Sequence, residues 1–301
     1  GRLSKSNGIK RLIFISVVKF ICFFSIREFI NFSCIINKKR TKLIFQNQND
    51  FKSFLKIDNS NSENSVCIYG SGLPKRFLNK SNNSILKKRW SRSNSKIKKS
   101  LNLEFIFCGR LLKSKGIFLF INLAKSYPNH RFLVFGSRDE ASNDSITFNQ
   151  MKEYESYKNI IFKGQVNDPI KSIDSLYPVL IIPSAYGEGM PRTIIEAFSQ
   201  RIPVISSLSA ACGLFDGKEI YISENSKVSS YKKSIENLLE DFKKDQLEIK
   251  LNNAYSLLGS FSEETIVNET LKIYDELTNL SNHKDKYSLE KNDNKFDFFP
   301  K

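Results

Sequence analysis

Between Tyr177 and Ser207 the chain reads Y-P-V-L-I-I-P-S-A-Y-G-E-G-M-P-R-T-I-I-E-A-F-S-Q-R-I-P-V-I-S-S, and this order of apolar runs and breakers leaves few folds open. Val179 to Ile182 is a short, continuous apolar run bounded by prolines, the pattern of a strand buried on both faces of a parallel sheet. A loop follows from Ser184 to Met190, with two glycines around a carboxylate. Pro191 suits a first helical position, where its fixed φ helps and its missing N–H costs nothing. Arg192 to Gln200 then carries Ile194, Ile195 and Phe198 as a helical stripe, and Pro203 to Ile205 opens the next strand. A strand, a glycine-bearing loop and a helix N-terminus thus meet at one point, and such a point attracts anions through backbone N–H groups and the helix dipole.

Regular alternation surrounds this unit. Strands are predicted at Phe105 to Cys108, Arg131 to Phe135, Ile160 to Lys163 and Glu219 to Ile222. Helices are predicted at Lys115 to Ser126, Thr147 to Tyr157, Ile170 to Leu176 and Val228 to Phe242, with a last helix capped by Ser262. Alternating strands and helices define an α/β fold, a doubly wound parallel sheet with helices on both faces.

Within the organising loop, Glu188 and Glu196 are separated by seven residues, and E-G-M-P-R-T-I-I-E-A resembles the E-x7-E motif of retaining GT-B glycosyltransferases, group 1 and family 4 type, which include bacterial surface-polysaccharide enzymes. The plain alternative is one loop carboxylate and one solvated helix carboxylate in an ordinary βαβ unit. The first βα turn, F-C-G-R-L-L-K-S-K-G, resembles the same family's G-R-L-x-x-x-K-G element, and F-K-G-Q-V at 162–166 its F-x-G-x-V turn. The resemblance implies a GT-B architecture and transfer of a sugar from a nucleotide-diphosphate sugar to a glycan or polyprenyl-linked acceptor, with retention of configuration.

It also implies roles. Arg110 and Lys115 would hold the donor diphosphate, and with Glu188, which reaches the sugar hydroxyls, they form the catalytic set. Donor binding would further use Gly109, the turn Gly164, Gln165 and Val166 beside the nucleobase, and Gly189, Met190, Pro191, Arg192 and Thr193 around the phosphate and sugar. Glu196 would take the ribose hydroxyls. Residue types fit these roles: a guanidinium fork suits phosphate oxygens, and glycine lets a ligand approach the backbone. The resemblance implies a hexosyltransferase-type, metal-independent mechanism with no cofactor, the nucleotide sugar being a substrate, and the lack of an Asp-x-Asp metal motif in these segments agrees with it. The S-S-L-S-A-A-C-G segment after Ile205 departs from the family's usual glycine and acidic run, on the sugar side of the site.

The domain reading follows. Residues 1–72 form a partial N-terminal, acceptor-side Rossmann-like domain, with strands at Thr41 to Gln46 and Val66 to Tyr69, a helix at Asn49 to Lys56, a polar loop at Asp58 to Asn64 and a Gly70-Ser71-Gly72 turn. Residues 73–100 are a basic, partly flexible linker around Trp90. Residues 101–260 are the donor-binding domain, 261–280 a C-terminal helix packing back on the N-terminal domain, and 281–301 a disordered tail. The chain opens on Gly1 and the first domain lacks its opening strands, so an N-terminally truncated enzyme is expected, and an inactive fragment that only binds nucleotide sugar is the alternative.

Charge bears on partners. The net charge is +16, yet residues 1–100 hold 22 Lys or Arg against 4 Asp or Glu, so the excess sits in the first third. Such a segment seeks nucleic acid or acidic lipid. No recognition helix, finger or RNA-binding strand accompanies it, so a nucleic-acid-binding protein is disfavoured. Residues 12–36 are strongly apolar but interrupted by Lys19, Arg27 and Glu28, which reads as a buried or surface-docked amphipathic helix, with a transmembrane span as the minority alternative. Five widely spaced cysteines without metal-ligand spacing fit a reducing cytosol. A cytoplasmic enzyme docked peripherally on the inner face of an anionic membrane is the expectation.

Overall fold

A computed structural model describes residues 41–57, 59–78, 86, 88–91, 101–185 and 188–288. The apolar run 12–36 and residues 289–301 lie outside them. The chain divides into two compact units, one of residues 1–44, 54–66 and 270–301, the other of 45–53 and 67–269.

In the first unit, the Lys42 ammonium reaches the Glu63 carbonyl at 3.4 Å and the Glu276 carboxylate at 3.6 Å. Two short strands, β1 (Leu43–Phe45) and β2 (Ser65–Cys67), pair with each other, and helix α1 (Gln48–Ile57), whose residues 48–53 belong to the second unit, lies between them in sequence. The segment read as a polar loop is a 3-10 helix, Asn59–Asn64. Its run of Asn and Ser favours a tight local turn over an open loop.

The second unit is built on six parallel strands: β3 (Glu104–Cys108), β4 (Arg131–Phe135), β5 (Ile160–Gly164), β6 (Pro178–Ile182), β7 (Val204–Ser207) and β8 (Tyr221–Ser223), in the order β5-β4-β3-β6-β7-β8. Short helix α2 is Lys75–Leu78; the crossings supply α3 (Ile117–Ser126), α4 (Phe148–Glu155) and α5 (Arg192–Ser199), and β8 is followed by α6 (Val228–Lys243), α7 (Gln246–Ser256) and α8 (Glu263–Ser288). Because successive strand residues face opposite ways, Phe105, Phe107, Val179 and Ile181 join a core with α3 and α6, while Ile106, Leu180, Ile182 and Val204 join a second core with α5. Both faces are covered, which is why β3 and β6 read as unbroken apolar runs.

Local signals set several boundaries. Thr147 closes a capping box with Gln150 at the start of α4. Ser262 Oγ accepts from the Thr265 N–H at 3.0 Å at the start of α8. Helix α3 begins at Ile117 rather than Lys115, since Gly116 takes a left-handed φ of 80° before it.

Three expectations are corrected. Ile170 to Leu176 is no helix: the chain makes one turn, in which the Ser172 N–H donates to Asp168 O at 3.1 Å, and then extends into β6. One turn suffices to bury Ile170 and Ile173, three apart, so no second turn is needed. Helix α8 runs on through 281–288, read as disordered tail. Of the basic run 73–100, Leu73, Phe77, Arg89 and Trp90 are buried rather than flexible. Trp90 packs edge-on against Tyr177 and Phe242, and Arg89 donates to the carbonyls of Ile173, Ser175 and Gln200.

Candidate functional site

The strand order reverses direction between β3 and β6: β3 leads to β4 and β5 on one side, and the chain then returns to lay β6 on the other. In open α/β sheets a crevice forms outside the carboxyl ends of the strands at such a switch point. Here a cleft of about 270 Å³ lies there. Phe107, Cys108 and Gly109 from the end of β3 and Ile181 to Ser184 from the end of β6 form its floor. Lys115, Glu188 and Met190 to Thr193 form its walls.

Two glycines shape the floor. A Cβ on Gly136, at φ 129°, would lie 1.9 Å from the Gly109 carbonyl oxygen, so the turns after β3 and β4 close only without a side chain. A Cβ on Gly116 would lie 2.3 Å from the Pro183 carbonyl oxygen, so glycine lets the start of α3 press on the end of β6. That approach brings Lys115 into the cleft.

Lys115 Nζ lies 2.5 Å from Glu188 Oε1, and both side chains are largely shielded. Helix α5 points its N-terminus at the same cleft. Pro191 stands one place earlier than expected, at the N-cap with φ −65° and ψ 104°, and no side chain caps the first turn among the described residues. Its N–H groups and dipole end are oriented for an anion. One turn in, Arg192 Nε pairs with Glu196 Oε1 at 2.9 Å. Glu196 is buried, and desolvation pushes its carboxyl above the usual range, while Arg192 opposes the shift.

The sequence-expected residues are only partly gathered. Gly109, Lys115, Glu188, Met190, Pro191, Arg192 and Thr193 share one cleft, and Gly189 adjoins it. Glu196 lies beneath Arg192, off the wall. Arg110 turns away to Asp139 at 2.9 Å and is mostly exposed. Gly164 ends β5, two strands from β3, Gln165 and Val166 follow it, and all three are exposed. Gly164 stays linked to the floor through its carbonyl, which accepts from the Gly136 N–H at 2.8 Å.

The residues not anticipated include Gly136 and Asp139, and Asp144, whose carboxylate accepts from the Ser114 N–H at 2.9 Å and is held below its usual range by the Ser114 hydroxyl first and by that N–H second. A glycine straight after β4 was the available signal for Gly136; Asp139 and Asp144 sit in a polar loop with no periodicity to mark them.

The sheet order and the cleft at its switch point define a Rossmann-like α/β architecture of the GT-B kind. Residues 87–254 match the family of glycosyl transferases, group 1, and the chain belongs to that family. An uncharacterized glycosyltransferase of Methanocaldococcus jannaschii is 28% identical over 107 residues, 34% of this chain and 25% of that one. A glycosyltransferase structure from Rickettsia africae superposes with a TM-score of 0.62 at 17% identity, over 83% of this chain and 67% of that chain. HepE of Anabaena, solved in complex with UDP and glucose, superposes with a TM-score of 0.59 at 19% identity, over 77% of this chain and 63% of that chain. At such identities the structural likeness is one of fold. The chain thus spans about a quarter of the curated relative and under two thirds of the Anabaena chain.

Proposed function

We propose that this chain acts in a metal-independent glycosyltransferase of family 4 type that moves a hexosyl group from a nucleoside-diphosphate sugar to a glycan or polyprenyl-linked acceptor, with retention, in surface-polysaccharide synthesis. The observation that carries the proposal is the switch-point cleft, in which Lys115, Glu188 and the N-terminus of α5 converge. The solved relative holding UDP and glucose supports a nucleotide sugar as donor.

Breaking the glycosyl–phosphate bond puts negative charge on the departing nucleoside diphosphate. Groups already oriented toward that charge lower the barrier. Lys115 and the first-turn N–H groups of α5 serve the phosphates, and Arg110 joins them by releasing Asp139. Glu188 takes the sugar hydroxyls and Glu196, with Arg192, the ribose hydroxyls. The nucleobase extends toward Gly164, Gln165 and Val166 at the end of β5. The acceptor oxygen forms its bond to the anomeric carbon on the face the phosphate leaves, and its proton passes to the departing phosphate.

The site would work in the cytoplasm, beside the inner face of an anionic membrane, drawn there by the basic first hundred residues. Among the described residues no helix is long and apolar enough to cross a membrane. Calorimetry with UDP, GDP and ADP on the full chain tests the donor site: one nucleoside diphosphate should bind in the micromolar range, without added divalent cation. Absence of binding by all three would overturn the proposal.

A further inference from the structure

The carbonyl oxygen of Glu188 is held by a side chain 141 residues earlier. Asn47 is 2% exposed, and its Nδ2 donates to Glu188 O at 3.2 Å and to Asp50 Oδ2 at 2.6 Å. Its Oδ1 accepts from the Asp50 N–H at 2.8 Å, as a helix N-cap does at the start of α1. A backbone N–H can only donate, so this bond fixes which end of the amide is oxygen, and the NH₂ end must face Glu188.

Neighbouring contacts repeat the pattern. A Cβ on Gly189 would lie 2.8 Å from Gln46 Oε1, and one on Gly70 would lie 3.1 Å from Met190 Cβ. A Cβ on Gly213 would lie 2.3 Å from Asn49 Oδ1, and Cys212 Sγ lies 3.7 Å from the same Glu188 carbonyl. The turn 188–190 is therefore gripped by Gln46, Asn47 and Gly70, with Gly189 and Gly70 removing the side chains that would hold the surfaces apart, while Gly213 gives the same close approach to Asn49 beside them.

We propose that Asn47 is a positioning residue: its amide sets the turn so that the Glu188 carboxylate stands against Lys115 and over the cleft. The proposal rests on the reading of Glu188 and Lys115 as donor-site groups. It gives the Q-N-x-N-D segment at 46–50 a role in setting a loop of the site that lies more than 130 residues later.

The test uses Asn47→Ser in the full chain, since serine keeps the N-cap acceptor but cannot reach Glu188. Asn47→Asp, which keeps length and cap but replaces the donor with an acceptor, is the second variant. UDP affinity is measured by calorimetry in the unaltered chain and in a Glu188→Gln background. Freed from its set position, Glu188 no longer occupies Lys115, so Asn47→Ser should raise UDP affinity roughly three- to tenfold, the worth of one neutral hydrogen bond. In Glu188→Gln the same substitution should change it less than about twofold, because a merely structural role would shift both backgrounds alike. Equal shifts in both backgrounds, or none in either, would overturn the proposal. Amide exchange separates its failure from that of the donor-site reading. If the unaltered chain binds no UDP, that reading falls, and faster exchange at Gly189 and Met190 in the variant, with α1 unchanged, still sustains the grip. Unchanged exchange at those two residues would overturn it.

Discussion

Lys115 and Glu188 form an ion pair of 2.5 Å across the cleft at the switch point, joining the start of α3 to the loop before α5. On the proposed donor reading, the cation that would meet a diphosphate is thus already matched by a carboxylate. A bound phosphate must compete with Glu188 for that ammonium, and a sugar bearing hydroxyls can engage Glu188 as it is displaced. Glu188→Gln removes the competitor. UDP affinity should rise by roughly three- to tenfold, since hydrogen bonds to charged groups are worth about 1.5–3 kcal/mol and part of that is now spent on the pair. Turnover with a nucleotide sugar should fall at least about a hundredfold, in the range seen when one oriented polar group is lost from a reacting site. Calorimetry and a sugar-release assay read the two effects.

The buried carboxyl of Glu196 has a sign that can be tested. Its folded-state value is raised by burial above the ordinary value of about 4.3. The native state therefore binds this proton more tightly than the unfolded chain does. The stabilisation is fully present below the unfolded value and is lost as pH rises through the folded one. Glu196→Gln removes the titration. Its melting temperature relative to the unaltered chain should climb from pH 4 upward and level off at neutral pH, while UDP affinity falls. A difference in melting temperature that is flat across that range would contradict the burial argument.

Gly136 and Gly164 offer a contrast in backbone space. Alanine at Gly136 would put its Cβ against the Gly109 carbonyl, and φ there is 129°. Alanine at Gly164 meets nothing within 4 Å, so only its left-handed φ of 67° is strained. Denaturant unfolding should show Gly136→Ala losing at least about 2 kcal/mol and Gly164→Ala about 1 kcal/mol. Equal losses would mean that the close approach of the two turns is not tight.

Much of this was legible from residue order, and the reasons are local. Val179 to Ile182 and Phe105 to Cys108 are apolar without a break because both sheet faces are covered. The starts of α4 and α8 were marked by Thr147 and Ser262, whose side chains reach N–H groups three residues on. Lys115, Glu188 and the α5 residues were marked by motif and meet in one cleft. What was hidden depends on distant partners. Ile170 and Ile173 have helical spacing, but a single turn buries both. Arg110 carries the motif's guanidinium, yet Asp139 from the next βα loop turns it outward. Arg89 sits in a run of lysines that reads as solvent-facing, and only the fold supplies the carbonyls that take it in.

That burial of Arg89 is itself testable. Its guanidinium donates to Gln200 O at 2.6 Å, at the C-terminus of α5, where a cation also meets the negative end of the helix dipole. Burial lowers its value to about 10, so it remains charged at neutral pH. Arg89→Met removes the donors and leaves buried carbonyls unpaired, so chemical denaturation should register a loss of about 3 kcal/mol. A loss below about 0.5 kcal/mol would place Arg89 with the solvated lysines.

The central claim is that the cleft between the ends of β3 and β6 holds a nucleoside diphosphate on Lys115 and the N-terminus of α5. The most direct measurement is calorimetric titration of UDP into the unaltered chain, Lys115→Ala and Arg110→Ala, at one salt concentration. Loss of the Lys115 contact should weaken binding roughly ten- to a hundredfold. Arg110→Ala should weaken it less, since Arg110 must first leave Asp139. UDP binding to Lys115→Ala as tightly as to the unaltered chain would contradict the account.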